Sequence, residues 1–212
     1  MGKAEPGPLR HRGGLRRGRP CRYHCSCLSA TEERGAVPAL ETAVQDYFET
    51  LRRVHGTGAG TSELSHYAAL EGLLNALGGD LRPKVFCVSQ LADQGAGHPD
   101  FGLYAAGQCQ RGRPRDGQLP ERGVIEVKSP ADDAWLTAGT GQISRYWDRY
   151  RLVLVTNYRD FLLIGEDAAG RPANLEAFRL ANSDAEFWSR ILTPRKYAQE
   201  VARSLGEYLR RV

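Results

Sequence analysis

The sequence has little of several things, and each shortage excludes something. It has one Met, three Trp and only four Lys in 212 residues. No run of 18 apolar residues occurs, which excludes a membrane-spanning helix by the length rule for apolar segments. The first 30 residues are basic but lack an apolar stretch followed by a cleavage site, so they do not read as a secretory signal. The five cysteines are odd in number, and three of them crowd between positions 21 and 27. That is a poor disulfide framework, and a reducing, cytoplasmic compartment is expected.

What is present suits one soluble domain with a tail. The chain is 41% hydrophobic and 25% charged, which argues against wholesale disorder, and its length is enough to bury a core. The formal charge of +4 is unevenly placed. Residues 1–35 hold eight Lys/Arg and three Asp/Glu, a surplus of +5. The body, 36–212, is left at −1, so general attraction to polyanions is not expected of it. Residues 1–35, rich in Gly, Arg and Pro, read as a basic disordered tail. Within the tail Cys21-Arg-Tyr-His24-Cys25-Ser-Cys27 offers four zinc-type ligands. Structural zinc sites use separated ligand pairs, so tail is the expectation there.

From Val37 apolar residues recur at helical spacing, through Leu40, Val44, Tyr47, Phe48 and Leu51. The stretch Gly56-Thr-Gly-Ala-Gly60 breaks this helix and reads as an interhelical loop. A second helix follows, with Ser62 as N-cap, an apolar face including Tyr67, and an end at Gly78-Gly79. Strands are predicted over 84–88, 100–105 and 123–128, with a polar loop over 107–122. A helix near 142–150 leads to the apolar strand 152–156, a turn at Asn157–Asp160, and a strand over 161–165. Helices near 184–192 and 196–211 close the chain. The order predicts an α/β or α+β domain with one mixed sheet.

The sharpest constellation is His98-Pro99-Asp100 followed by Glu126-Val127-Lys128. Glu126 and Lys128 are two apart on a strand and share one face, the face that Val124 makes apolar. Charges in such a place need a reason. One reason is a divalent cation held by two carboxylates, with an ammonium beside it to orient water and offset charge on a phosphodiester. The other is an ordinary solvated strand face with cross-strand pairing. The Arg bias bears on this choice. Among so few lysines one stands in this motif, where a compact ammonium is not replaceable by a forked guanidinium.

Pro-Asp, a spacer, then Glu-x-Lys resembles the motif of the PD-(D/E)XK nuclease superfamily. The segment Pro99–Gly165 resembles the N-terminal nuclease domain of single-chain restriction-modification enzymes, where it precedes an adenine-N6 DNA methyltransferase. The resemblance covers roughly residues 40–210. It implies a restriction-endonuclease-like core, a central mixed sheet flanked by helices. It implies Asp100 and Glu126 as ligands of Mg²⁺ (Mn²⁺ as substitute), the Val127 carbonyl as a third ligand, and Lys128 as the catalytic lysine. Gln142-Ile-Ser-Arg-Tyr146 resembles the family's Gln-x-x-x-Tyr helix, with both residues on one helix face. Glu63 resembles the carboxylate of the first core helix, with Glu71, two turns beyond, as its rival.

The expectation is a Mg²⁺-dependent DNA endonuclease domain of a restriction-modification system. DNA and a methyltransferase or target-recognition region are its expected partners. The alternative is a catalytically silent or truncated module of such an enzyme acting as an interaction domain. No Asn-Pro-Pro-Tyr/Phe motif is present, so methylation by this chain is not expected. Arg111, Arg113, Arg115 and Arg122 read either as phosphate contacts near the cut or as a solvated loop. His98 reads as a turn residue, Asp132 and Asp133 as caps, and Trp135, Trp147 and Trp188 as core or rim packing.

Overall fold

The computed structural model describes residues 32–58 and 64–212, with side chains from residue 39 onward. The Cys21–Cys27 cluster, Ser62 and Glu63 lie outside the described residues. Helix α1 (Glu32–Thr57) is followed by a 3-10 turn (Leu64–His66) and α2 (Tyr67–Asp80). Then come β1 (Val85–Ser89), β2 (Phe101–Ala105), β3 (Cys109–Gln110), β4 (Arg113–Pro114) and β5 (Val124–Val127). Helices α3 (Ala134–Ala138) and α4 (Gly141–Tyr150) lead to β6 (Val153–Thr156), β7 (Asp160–Glu166) and β8 (Pro172–Arg179). Helices α5 (Asp184–Arg190) and α6 (Pro194–Leu209) follow. Among the described residues no helix is long and apolar enough to cross a membrane.

Six strands form one mixed sheet in the order β1-β2-β5-β6-β7-β8, and helices cover it, as the expected α/β class requires. Only β5 and β6 pair in parallel; the other ladders of this sheet are antiparallel. The pleat sorts the side chains. On β5, Ile125 and Val127 join the large core with α1, α2, α5 and α6. Val124 faces the other way, into a smaller core with Ile143, Tyr146 and Trp147 of α4. Both faces of β5 and β6 are therefore buried, which is why these strands read as apolar runs.

Several details depart from the sequence reading. Helix α2 does not stop at Gly78-Gly79 but runs to Asp80. Gly78 is there for proximity: a Cβ would lie 2.3 Å from the Val85 carbonyl oxygen, so its absence lets β1 lie against the helix. The 107–122 loop contains the hairpin β3–β4, turned by Arg111 and Gly112, both at positive φ as a tight two-residue hairpin demands. Strand β8 was not foreseen. It is an edge strand, mostly exposed, with no β-branched residue to mark it. Finally, α1 begins at Glu32, before the periodic run.

Three tyrosines tie helices and chain turns together through their hydroxyls. Tyr47 donates to the Tyr158 carbonyl (2.8 Å), Tyr208 to the Phe161 carbonyl (3.0 Å), and Tyr197 to the Leu180 carbonyl. Burial raises all three phenols, Tyr197 to about 12. A phenol raised in the folded state contributes stability below its unfolded value, about 10, which is lost as pH rises through the folded value. The unfolding free energy should therefore fall above about pH 10, and absorbance at 295 nm should report these phenols ionising together with loss of helical circular dichroism. Gly123, at φ +89, would place a Cβ 2.4 Å from the Leu152 carbonyl oxygen. Gly123→Ala should lower stability by about 3 kcal/mol in urea denaturation, since both backbone and packing must shift.

Candidate active site

The site lies at one end of the β2–β5 pair. Phe101 pairs with Ile125 and Gly102 with Val124. One step further along each strand stand Asp100 and Glu126. Direct contact shows how close the strands are there: the Val127 N–H donates to Asp100 Oδ2 at 2.6 Å. The other carboxylate oxygen, Oδ1, accepts from the Tyr67 hydroxyl on α2.

Glu126 points into the smaller core, as the alternation from Val124 dictates, and is 2% exposed. Its Oε1 accepts from Lys128 Nζ at 2.6 Å and from Gln142 Nε2 at 3.0 Å. Gln142 Nε2 also reaches Tyr146 Oη at 3.0 Å. Gln142 and Tyr146 are one turn apart on α4, so a single helix face supplies both. The Lys128 side chain keeps 28% of its surface exposed, so its ammonium bridges the buried carboxylate and solvent. Tyr146 is raised above the ordinary phenol value, chiefly by burial. Its Gln142 hydrogen bond opposes that rise, while the charges of Glu126 and Asp100 add to it.

The flanking segments are braced. After Lys128, Ser129 N–H donates to Asp132 Oδ2, and Asp133 caps α3 by accepting from the N–H groups of Trp135 and Leu136. Asn157 Nδ2 donates to the Asp132 carbonyl at 2.7 Å. Asn157 in turn meets Asp160, a buried carboxylate paired with Arg159 and Arg179. Before Asp100, the loop is closed by Gln90 N–H to the Asp100 carbonyl and by Asp93, which accepts from Gly95 and Gly97 N–H. Those two hydrogen bonds hold the Asp93 carboxyl below its usual range. Arg149 on α4 donates to the Gln94 carbonyl, tying the same loop to the helix that carries Gln142. His98 Nδ1 lies 3.4 Å from the Leu91 carbonyl, as a turn residue would. Trp147 is buried, Trp188 packs against the large core, and Trp135 lies on the rim beneath Arg179.

Asp100, Glu126, Lys128, Gln142 and Tyr146 are thus together. Glu63 is outside the described residues, four positions before Tyr67. Glu71 is half-buried on α2, and its charge is felt at Cys87, whose thiol is raised mainly by burial. The loop arginines do not lie at the carboxylates. Asp100 immediately precedes β2 and the loop leaves from the strand's far end, about 17 Å away at the strand rise. There Arg122 reaches the Val212 carbonyl. Tyr67 is the residue the sequence reading placed only in a core face. Its hydroxyl was the available signal, since a buried phenol needs an acceptor.

The donor set fits a hard divalent cation. Both side chains are carboxylates. The ladder also supplies a backbone oxygen: Lys128 N–H turns to β6, at the Thr156 carbonyl, so Val127 N–H and C=O turn to the Asp100 side. Among the described residues no group of three or more His, Cys, Asp or Glu side chains is gathered. Mg²⁺ tolerates this, because it binds through one or two carboxylates and completes its shell with water and phosphate oxygens.

No protein-family model matches the chain, and no curated protein matches it. Among solved structures the chain is similar to one in the "cryoEM structure DrdV-DNA complex", with TM-score 0.48 and 15% identity over 74% of this chain and 97% of that one.

Removing Lys128 leaves a carboxylate with 3% side-chain exposure without its ammonium, though Gln142 remains. Lys128→Met should lower stability by about 1–3 kcal/mol in urea denaturation, less than a fully buried pair because the lysine is partly solvated.

Proposed function

We propose that the chain is a Mg²⁺-dependent DNA endonuclease domain that hydrolyses phosphodiester bonds, with Mn²⁺ as a substitute cation. One observation carries the reading. A buried carboxylate on an otherwise apolar strand face contacts a lysine two residues on, and a second carboxylate is bonded to the peptide group between them. A structural ion pair does not require that second carboxylate.

Asp100, Glu126 and the Val127 carbonyl would hold the cation. When bound, the cation would polarise the phosphate and acidify a water. Lys128 presents its ammonium at the solvent side, where it orients a water and offsets charge building on the phosphate. Gln142 holds Glu126 in one rotamer and is steadied by Tyr146. The setting we propose is restriction-modification, with sequence choice made by a target-recognition region and a methyltransferase as partner. A near-neutral body fits such an arrangement, since affinity for DNA would then come from elsewhere.

The test is nicking of supercoiled plasmid at low ionic strength with Mg²⁺ or Mn²⁺. The expected result is cation-dependent nicking that falls at least about 100-fold in Asp100→Asn and Lys128→Ala proteins that remain folded. Equal nicking by wild type and both variants would sink the reading. No nicking, with or without a methyltransferase partner, would favour a silent interaction module.

A further inference from the structure

We infer that Tyr67 is a positioning residue for the Asp100 carboxylate, so that helix α2 sets the orientation of a cation ligand. The inference rests on the nuclease reading and adds to it a residue outside the Asp/Glu/Lys motif and its helix.

Tyr67 grips two consecutive residues of the β2 end. Its ring packs against the Phe101 ring, centroids 4.9 Å apart at 47°, and its hydroxyl donates to Asp100 Oδ1. The Val127 N–H holds Oδ2 from the side of β5. A carboxylate held through both oxygens by donors on two different elements cannot rotate about its Cβ–Cγ bond. Each oxygen has two lone-pair directions, so one donor apiece leaves acceptor capacity for a cation.

The choice of acceptor is informative. Tyr47, Tyr197 and Tyr208 satisfy their buried hydroxyls with main-chain carbonyls. Tyr67 gives its hydroxyl instead to a carboxylate at the site. It is also the first residue of α2, which packs its Leu70, Leu73 and Leu77 into the large core. The donor is therefore mounted on a rigid element rather than on a loop. Contacts of this kind, one bond removed from a cation, commonly change its affinity by about 10–100-fold when lost.

The test measures binding of Mn²⁺ alone by electron paramagnetic resonance, with no substrate. Four proteins are compared: wild type, Tyr67→Phe, Asp100→Asn and Tyr197→Phe. Tyr67→Phe keeps the ring on Phe101, and circular dichroism checks that it folds. Tyr197→Phe removes an equivalent buried hydroxyl far from Asp100 in the hydrogen-bond network. The expected result is Mn²⁺ binding that weakens about tenfold in Tyr67→Phe, is lost in Asp100→Asn, and is unchanged in Tyr197→Phe. Wild-type affinity in Tyr67→Phe would overturn the inference and leave the nuclease reading standing. Equal weakening in the two tyrosine variants would assign Tyr67 a merely structural role. No binding by wild type would remove the nuclease reading, and the inference with it.

Discussion

A carboxylate buried on an apolar strand face is the constraint around which this end of the molecule is arranged. Glu126 sits where the pleat of β5 calls for another valine. An ionised carboxylate in such a place is unfavourable unless donors meet it. They come from two directions, Lys128 along the same strand and Gln142 from α4. Helix α4 must therefore lie over β5 in one rotational setting. Its Ile143, Tyr146 and Trp147 then fill the smaller core. Polar satisfaction and apolar packing specify the same docking of one helix, which is the agreement between levels that gives a sequence one structure.

The second carboxylate is governed differently. Asp100 stands across from Glu126 where β2 begins, and Tyr67 of α2 and the Val127 N–H of β5 both reach it. It has no opposite charge among its hydrogen-bond partners; a phenol and a main-chain amide hold it. The site thus draws its donors from two helices. Glu126 is met by Gln142 of α4, and Asp100 by Tyr67 of α2.

Legibility in the sequence followed the strength of local pattern. The period of two on β5 put Glu126 and Lys128 on one face, and the spacing of four put Gln142 with Tyr146. Both are local geometry, and both hold in the fold. Strand β8 is not legible because it carries no β-branched residue and, as an exposed edge strand, no alternation imposed by a buried face. The β3–β4 hairpin was missed because its strands are two residues long. For the arginines of the 107–122 loop the sequence leaves phosphate contact and a solvated loop both open, because nearness in sequence to Glu126 does not give nearness in space. Antiparallel pairing reverses that nearness, since the loop leaves the opposite end of β2. For Tyr67 only the ring is legible, because nothing local shows where a phenol's oxygen will end.

The parallel pairing of β5 and β6 has a kinetic consequence. A parallel ladder cannot close through a hairpin; the chain must first travel through α3 and α4 and return. The contacts that build the site share this remoteness. Asp100 to Val127 spans 27 residues, Tyr67 to Asp100 spans 33, and Gln142 to Glu126 spans 16. Each closes a long loop, and contacts of that kind slow folding because their chain entropy must be met first. The constellation therefore exists only where those remote segments have met. Whatever chemistry the residues perform depends on the assembled sheet, which alone brings the four segments together.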